Sequence, residues 1–552
     1  MTNINLKGFM IRKGRAATPQ SLKAADGQKR NHAGGFVYVI SDLERVKRFL
    51  ILGSDTGFYA SGAQLTKDNA KAVIRVAESA QHRELVDVIV ETSVAGRAPK
   101  QDPALFALAI AASFGEVEDR AYALAQLPKV ARTATALFGF LTYVQGFRGW
   151  GRALARAVAA WYTEKSVDQV AYQAVKYRQR DGWTHRDVFR KAHPRLVEPG
   201  FTGLGEWILR GDAGEAPGIV QGFEAARFAS ASELPGLIRE HGLTWEMVPT
   251  EALNDREVWE ALLEGNVPLG ALIRQLPRLT RIGVLEPMSE ATEMIAARLV
   301  DVEALRKARI HPLNVLVALR TYAQGHSMEG KSTWEPNPRI VDALDEAFYR
   351  SFGTVEPAGK RTLIALDVSG SMTFTRVAGV PLTPREASAG LALVLAATEP
   401  MTHVVAFTGG VQVYRPPGAR RVRPVGRSGA AAALTQLAIT PRMRLDAAIQ
   451  EVSDLPFGPT DCSLPMLYAA ERGLEVDTFV VITDNETWAG AMHPHQALAK
   501  YRAEMGIDAK LIVLATLASK FSIADPNDAG MLDISGFDAA VPALVTEFSR
   551  GL

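Results

Sequence analysis

The first pattern along the chain is helical and extends from about residue 41 to about residue 348. Apolar residues recur there at spacings of three and four, as Leu137, Leu141 and Val144 illustrate. Turn-forming stretches such as Gly96–Pro99 separate the segments. This density of short helices predicts stacked helical hairpins, a HEAT-like repeat architecture in which each unit buries its apolar face on its neighbours. No strict sequence period accompanies it, so the prediction depends on helix density alone.

After about residue 354 the pattern changes to short, continuously apolar runs that alternate with helical segments. The apolar runs, which we predict to be strands, are Arg361–Val368, His403–Phe407, Thr478–Thr483 and Lys510–Ala515. The helical segments among them are Pro384–Thr398, Ser463–Arg472 and His495–Met505. Buried strands that alternate with helices favour a doubly wound α/β domain with a parallel sheet, a Rossmann-like arrangement.

These patterns divide the 552 residues into three parts, which agrees with a chain too long for one hydrophobic core. We expect a flexible basic arm at 1–35, an all-α domain at 36–355 and an α/β domain at 361–552. The single cysteine excludes an internal disulfide framework. Because no apolar run is long enough for a signal peptide or a membrane span, we expect a soluble, cytoplasmic protein.

The distribution of charge differs mildly between the two parts of the chain. Residues 361–552 contain 16 Lys and Arg against 19 Asp and Glu, whereas the rest of the chain contains 46 against 41. The front of the chain is therefore the basic part, which permits an anionic partner there without requiring one.

Oxygen-bearing side chains follow two of the predicted strands. Asp367 lies at the end of the first strand, with Ser369 and Ser371 directly after it, and Asp484 follows Thr483 at the end of the strand TFVVITD. Thr460 precedes a helix in the segment GPTDCS. Since ligands bind at the carboxyl ends of strands in such sheets, we predict that the five side chains converge on a divalent cation. Their hard oxygens suit Mg²⁺ best, with Ca²⁺ or Mn²⁺ as alternatives.

This set resembles the metal-ion-dependent adhesion site of von Willebrand A domains. The resemblance implies that a carboxylate from a protein partner completes the coordination, so the site would dock an acidic ligand and not hydrolyse a substrate. Asp461 and Glu486 lie nearby in sequence, so metal-dependent hydrolysis remains an alternative. A protein-docking module of the adhesion or chelatase type, in which the helical part is only a scaffold, is another.

Four segments of the front domain resemble the TROVE module of the Ro ribonucleoprotein autoantigen family. They are RFLILGSDTGFYASGAQLT, ETSVAGRAPKQDPALFALAIAA, GWGRALARAVAAWY and VAYQAVKYRQRDGWTHRDVFRKAHP. GPTDCSLPMLYA and TDNETWAG in the back domain resemble the same family. The resemblance covers nearly the whole chain in the family's domain order, and we expect a bacterial member.

The resemblance implies a ring of HEAT-like helices closed by the von Willebrand A domain. It further implies binding of small non-coding Y RNAs on the outer surface and of single-stranded 3′ ends of misfolded RNA in the central hole. The implied role is RNA quality control without catalysis, beside a 3′-to-5′ exoribonuclease in bacteria. We also expect a monomer that does not bind membranes.

Within this resemblance, Lys176, Arg180 and His193 match the family's Y RNA contacts, and Arg178, Arg186 and Arg190 add positive charge. We expect Lys176 and Arg180, four residues apart, to share one helix face and reach adjacent phosphates. His193 would stack on a base or hydrogen-bond to it. The alternative interpretation is a solvated helix face, which is the commoner role of basic clusters.

Several other residues have two interpretations. Trp150, Trp161 and Trp183 could stack on bases, but we expect at least Trp161 to be core. We interpret His185 and Asp187 as helix-start residues behind an N-cap at Thr184, and we expect Cys462 to be buried and inert. A second basic stretch is typical of an exposed loop that either contacts RNA or is solvated, and it contains Arg415, Arg420, Arg421, Arg423 and Arg427.

Overall fold

The structure is a computed structural model that describes residues 17–54, 62–195, 200–265, 267–327, 331–353, 355–377, 380–409, 432–441, 443–456 and 458–551. The basic stretch Arg415–Arg427 lies outside the described residues, so its role stays a prediction. Among the helices of the described part, none is both long and apolar enough to cross a membrane.

The first part of the chain consists mainly of helices. Its elements are β1 (Gln28–Arg30), β2 (Phe36–Val39), α1 (Asp42–Leu52), α2 (Gly62–Ala77), α3 (His82–Ala95), α4 (Asp102–Ala111), α5 (Val117–Ala125), α6 (Leu127–Val130), α7 (Ala134–Phe147), α8 (Arg152–Thr163), α9 (Val167–Lys176), β3 (Gln179–Arg180), β4 (Trp183–Thr184), α10 (His185–Ala192), α11 (Phe201–Arg210), α12 (Gly218–Ala226), α13 (Leu234–His241), α14 (Arg256–Glu264), α15 (Leu269–Arg281), α16 (Glu290–Leu299), α17 (Val302–Lys307), α18 (Pro312–Ala323) and α19 (Pro338–Arg350). Two short 3-10 turns occupy Trp245–Met247 and Glu251–Asn254.

These helices pack as the periodicity predicts, each burying one face on its neighbours. Consecutive pairs such as α1 with α2, α3 with α4, and α12 with α13 pack against each other along the chain. The apolar periodicity across 129–145 predicts a single helix, but the structure has two, α6 and α7, because Thr133 takes the N-cap position and accepts a hydrogen bond from the Ala136 amide. The all-α prediction is therefore confirmed, with this one boundary corrected.

The helical domain returns on itself at a contact that we call the seam, formed by residues 92–101 and 308–314. Arg309 Nε donates a hydrogen bond to the carbonyl oxygen of Val94 at 2.9 Å. His311 Nε2 lies 3.3 Å from the carbonyl oxygen of Arg97. Residues more than two hundred positions apart thus meet, and the succession of helices closes.

The second part is an α/β domain. Its elements are β5 (Thr362–Asp367), α20 (Ser371–Phe374), α21 (Pro384–Thr398), β6 (Thr402–Gly409), β7 (Ala432–Gln436), α22 (Leu445–Ser453), α23 (Leu464–Glu471), β8 (Thr478–Thr483), α24 (Pro494–Met505), β9 (Lys510–Ala515), β10 (Phe521–Ser522), β11 (Met531–Ser535) and α25 (Ala540–Arg550). One sheet has the strand order β11-β9-β8-β5-β6-β7, and β5 and β8 lie side by side at its centre.

The four predicted strands are all present, and two edge strands were not predicted. β7 pairs antiparallel with β6, so the sheet is mixed and not purely parallel. β11 pairs parallel with β9 at the other edge. Edge strands bury less side-chain surface than central ones, so the sequences AALTQ and MLDIS lack the long apolar run by which the central strands were recognised.

The prediction of a flexible arm across 1–35 is wrong for residues 17–35. β1 pairs with β2, and β2 pairs with β10, in a small antiparallel sheet attached to the α/β domain. Gln20 is fully buried, and its Nε2 donates a hydrogen bond to Asp461 Oδ1 at 2.8 Å. The segment is polar because its side chains satisfy buried polar groups of another domain, a role that polarity alone does not reveal.

Both ends of the helical domain are attached to the α/β domain. At the start, Arg48 of α1 is 2% exposed and donates hydrogen bonds to the carbonyl oxygens of Ser519 and Phe521 and to Asp533 Oδ1. At the end, Tyr349 donates a hydrogen bond to the Met443 carbonyl at 3.1 Å. The first and last helices are therefore fixed on the same domain.

We expect Arg48→Met to lower the free energy of unfolding by about 3 kcal/mol, because it leaves Asp533 and two buried carbonyls without their partner. The matched control is Arg75→Met on α2, whose ion pair with Asp42 is about half exposed and is worth about 1 kcal/mol or less. Urea unfolding of the three proteins measures both effects. Equal losses in the two variants would show that the buried pair does not hold α1 on the sheet.

Candidate metal centre and nucleic-acid interface

Asp367 ends the central strand β5 and is fully buried. Its Oδ1 accepts a hydrogen bond from the Ser369 amide at 2.9 Å, and its Oδ2 accepts one from the Thr483 hydroxyl at 2.6 Å. Thr483 belongs to the neighbouring strand β8, so the carboxylate is fixed from both strands. The orientation of Asp367 is thus set by the parallel pairing at the centre of the sheet.

The other predicted metal ligands lie around this carboxylate. The Ser369 and Ser371 hydroxyl oxygens are 3.0 Å apart, and Ser371 lies close enough to Asp484 to lower the pKa of that carboxyl. Asp484 follows β8, and its Oδ1 accepts a hydrogen bond from the Glu486 amide at 3.0 Å. Thr460 is buried, and its carbonyl accepts hydrogen bonds from the amides of Trp488 and Ala489, which joins its loop to the Asp484 loop. The structure therefore brings the five residues to one end of the sheet.

Positive charge balances the two carboxylates of this cluster only in part, since Arg385 opposes the effect of burial on Asp367 without cancelling it. Burial, together with the charges of Asp367 and Glu486, raises the pKa of Asp484 to about 8. Burial also raises the pKa of Asp367, although hydrogen bonds from Ser369 and Thr483 oppose the shift. Two buried carboxylates with adjacent hydroxyls form a donor set that fits a hard divalent cation. In the described ranges, no three His, Cys, Asp or Glu side chains lie together as a possible metal site, so a cation here would depend on the hydroxyl oxygens as well as on the two carboxylates.

Arg385 is a residue of this site that sequence reasoning missed. It is buried on α21, where it donates hydrogen bonds to the carbonyl oxygens of Val452 and Leu455. Burial lowers its pKa to about 10, and the negative charge of Asp367 opposes that shift. A single arginine at the start of a helix that is otherwise mostly apolar and carries no other basic residue, PREASAGLALVLAAT, was the signal that could have found it.

The N-terminal segment supports the loops of the candidate metal site from the side. Glu486 is 1% exposed, and its two carboxylate oxygens are held by His32 Nδ1 at 2.8 Å and by the Ala33 amide at 2.9 Å. Asn31 donates hydrogen bonds to the carbonyl oxygens of Asn485 and Thr487. At Gly35 any Cβ would lie 2.0 Å from the Thr487 carbonyl oxygen, so only glycine fits this approach. The segment expected to be a free arm therefore fixes the loop that carries Asp484.

For the basic cluster, the expectation that Lys176 and Arg180 share a helix face is wrong. Helix α9 ends at Lys176, and Arg180 lies in the short hairpin β3–β4. The turn of that hairpin contains Asp181 with φ 53° and Gly182 with φ 81°. This left-handed turn cannot continue a helix, and the Asp-Gly pair that forms it was visible in the sequence.

Lys176 is also less available for a phosphate contact than expected. Its side chain is 8% exposed, and its Nζ lies 2.9 Å from the Tyr172 hydroxyl and 3.3 Å from Glu246 Oε1. Burial opposes the charged form, but Tyr172, Tyr177 and Glu246 together raise the pKa of Lys176 above its ordinary value. The ammonium is thus charged and already paired, which suits a structural role better than a phosphate contact.

The remaining predicted RNA contacts are exposed. They are Arg178, Arg180, Arg186, Arg190 and His193. Arg186 and Arg190 lie one turn apart on α10, and no described carboxylate lies within ion-pair distance of either. Arg178 lies over the Phe223 ring at 5.4 Å, and Arg180 makes a long contact of 3.5 Å with Asp181. We call these five residues the basic patch.

Helix α10 presents the patch because its ends are well defined. Thr184 is the N-cap, as predicted, and it also forms a capping box with Asp187. His193 is the C-cap in a left-handed conformation, with φ 47°. His185 is buried and hydrogen-bonds with Tyr162, and burial lowers its pKa to about 4, so it is a core residue and not a catalytic one. The opposite face of α10 is buried, which leaves Arg186 and Arg190 pointing outward.

The tryptophans of this region belong mainly to the core. Trp161 is fully buried, as expected, and donates a hydrogen bond to the Ala131 carbonyl. Trp183 is buried and packs on Trp150, whose indole donates a hydrogen bond to the Lys191 carbonyl at 3.0 Å. Trp150 and Trp183 therefore pack on each other, which leaves less of either ring free to stack on a base. Cys462 is buried, and burial raises its pKa well above the usual value, so its thiol is inert.

Comparison with known proteins places this geometry in a family. The family described as "Ro60 vWA domain" matches residues 361–549, and the family described as "TROVE domain" matches residues 29–204 and 237–321. The chain is 43% identical over 543 residues to the RNA-binding protein RO60 of Deinococcus radiodurans, covering 97% of each chain. It is 37% identical to the RNA-binding protein RO60 of Caenorhabditis elegans, covering 96% of this chain and 91% of the relative.

A solved structure supports the same family assignment. The crystal structure of the Deinococcus radiodurans RO (RSR) protein matches with a TM-score of 0.66 and 42% identity, covering 93% of this chain and all of that one. The chain belongs to the Ro60 family, with a helical TROVE domain followed by a von Willebrand A domain. The resemblance stated from the sequence is thereby confirmed.

Proposed function

We propose that this protein binds structured RNA through the basic patch and performs no catalysis itself. The observation that carries the proposal is the pair Arg186 and Arg190, exposed on one face of α10 and without a described carboxylate partner. Exposed cations without partners are free to neutralise phosphates and release counterions. The relatives are named RNA-binding proteins, which supports the same assignment.

The proposal includes the finer roles that the family resemblance implies. The patch would receive small non-coding Y RNA on the outer surface, and the central hole would admit single-stranded 3′ ends of misfolded RNA. The protein would act in RNA quality control beside a 3′-to-5′ exoribonuclease. His193 lies at the end of α10 and exposes its ring beside the arginines, so it can stack on an unpaired base.

We expect the double change Arg186→Gln and Arg190→Gln to weaken RNA binding by about tenfold or more near physiological salt, because each substitution removes a cation that neutralises a phosphate. The slope of log affinity against log salt should decrease in magnitude by about 0.7–0.9 for each phosphate that is no longer neutralised. Fluorescence anisotropy with RNA that co-purifies with the protein from its own host measures both.

The control is the double change Arg239→Gln and Arg256→Gln. Arg239 of α13 and Arg256 of α14 are also exposed, but they are paired with Glu264 and Glu260, both on α14. Lys176→Gln should cost less affinity than either patch arginine, since Lys176 is already engaged. If the control pair weakens binding as much as the patch pair does, binding is non-specific and the patch is not the interface.

We further propose that Asp367, Ser369, Ser371, Thr460 and Asp484 hold a divalent cation, Mg²⁺ before Ca²⁺ or Mn²⁺. The unbalanced carboxylates at the sheet end support this assignment, because a cation would offset their repulsion. A bound cation would supply a coordination position for an acidic residue of a protein partner. Trp488 is 40% exposed beside the Asp484 loop and could pack on such a partner. Docking at this site is compatible with RNA binding, since the patch lies on a different domain.

Magnesium should raise the melting temperature of the wild-type protein, because it binds the folded state only. Asp484→Asn should abolish that rise and, in EDTA, should melt above the wild type, because one of two repelling buried carboxylates is gone. Asp508→Asn, at a fully exposed position of the same domain, should follow the wild type throughout. A wild-type melting curve unaffected by Mg²⁺, Ca²⁺ and Mn²⁺ would refute the metal site.

Hydrolysis is the weaker alternative because the extra carboxylates near the site are already engaged. Glu486 is held by His32 and Ala33, and Asp461 Oδ1 accepts hydrogen bonds from Gln20 and from Ser463. A catalytic two-metal centre needs further carboxylates that are free to coordinate. The described residues leave the predicted site with only Asp367 and Asp484.

RNA incubated with highly purified protein and Mg²⁺ should therefore remain intact on a denaturing gel. The comparison is with Asp367→Ala, which should give the same pattern, since neither protein cleaves. Cleavage by the wild type that disappears in Asp367→Ala would overturn the non-catalytic assignment.

A further inference from the structure

The seam encloses a cavity of about 210 Å³ between the loop that joins α3 to α4 and the loop that joins α17 to α18. Lys100, Arg132 and Arg309 line it, together with the hydroxyl-bearing residues Thr92 and Ser93. Neither Asp nor Glu occurs among the described residues that line the cavity. The cavity is thus polar, cationic and separate from both sites described above.

The three cations have no acidic partner among the described residues. Arg132 donates hydrogen bonds to the Ser93 hydroxyl at 3.0 Å and to the Lys129 carbonyl at 2.9 Å, and Arg309 donates to the Val94 carbonyl. All three acceptors are neutral. Burial lowers the pKa of Arg132, and the charge of Arg309 adds to that effect, so the two guanidinium groups are close enough to repel. Asp538, at the same junction, is already paired with Arg97.

Two helix N-termini add to the positive potential. Gln101, the N-cap of α4, and His311, the N-cap of α18, both line the cavity. Gln101 makes no side-chain capping hydrogen bond. The first-turn amides are largely satisfied, because the His311 side chain accepts a hydrogen bond from Leu313 and the Gln101 carbonyl accepts hydrogen bonds from the next turn. The contribution of these ends is therefore that of the helix dipoles, which act in the same space as three basic side chains.

We propose that the seam cavity binds a phosphoryl group, supplied by free phosphate or by a nucleic-acid strand. Its volume accommodates one phosphate and part of a nucleotide, which excludes a duplex. A bound phosphate would bridge Lys100 and Arg132 to Arg309, and so would connect the start of the helical domain to its end. The seam is then an anion-dependent clasp of the helical domain.

The test titrates the full-length protein with inorganic phosphate at constant ionic strength and follows binding by calorimetry. A second arm uses a 5′-phosphorylated single-stranded tetranucleotide, and a third uses the same tetranucleotide without its terminal phosphate. We expect saturable phosphate binding that is about tenfold weaker in Arg309→Gln. Tighter binding of the phosphorylated tetranucleotide identifies a strand end as the source, and equal affinity for phosphate alone identifies the free anion.

The matched control is Arg306→Gln, three residues before Arg309, because Arg306 of α17 is exposed and paired with Glu303. It should bind phosphate like the wild type, and so should the basic-patch variant of Arg186 and Arg190. Lys100→Gln, at an exposed position, provides a second weakened variant that does not depend on a buried contact.

Hydrogen exchange tests whether the anion bridges the two segments of the seam. Phosphate should slow amide exchange in both segments of the seam, 92–101 and 308–314, because the anion contacts both. Absence of saturable binding in the wild type, unchanged affinity in both Arg309→Gln and Lys100→Gln, or protection of one segment only would each overturn the proposal. The outcome is independent of RNA binding at the basic patch.

Discussion

Attachment of the helical domain to the sheet domain at both of its ends is the constraint on which the rest of the structure depends. At one end Arg48 is buried against Asp533 and two carbonyls, and at the other Tyr349 bonds to Met443. Because both ends are fixed, the succession of helices must return on itself, and the seam at Arg309 and Val94 is where it does so. The buried arginine acts by satisfying several acceptors at once, which explains why its loss should matter more than that of a surface ion pair.

The loops around the candidate metal site likewise contain buried polar groups that need partners. Glu486, Asp461 and Thr487 would be costly to bury without partners, and the N-terminal segment supplies those partners through His32 and Gln20. The two carboxylates that the segment does not neutralise, Asp367 and Asp484, are those that the proposed cation would balance. Support of the surrounding loop thus leaves a small, defined set of donors, which favours docking over hydrolysis.

The basic patch shows that a positively charged side chain is not always available to contact a phosphate. The six predicted contacts are all basic residues, but Lys176 is paired with Glu246 and Tyr172, whereas Arg186 and Arg190 are free in the described part of the chain. The family resemblance pointed to a region in which five of the six predicted contacts are exposed. Which cations can reach a phosphate depends on residues far along the chain, such as Glu246, and spacing within one helix cannot show this.

Local pattern alone determined the helical and α/β halves and the four central strands, and it placed the predicted metal ligands at strand ends, because periodicity, apolar runs and strand ends are properties of neighbouring residues. The capping box at Thr184 and the buried state of Trp161 follow from the same short-range signals. Only the tertiary structure decided the edge strands, the role of residues 17–35, the burial of Arg385 and the seam cavity. Each of these depends on groups that are distant in sequence and meet in space. The sequence does not show whether a polar residue faces water or satisfies a buried partner.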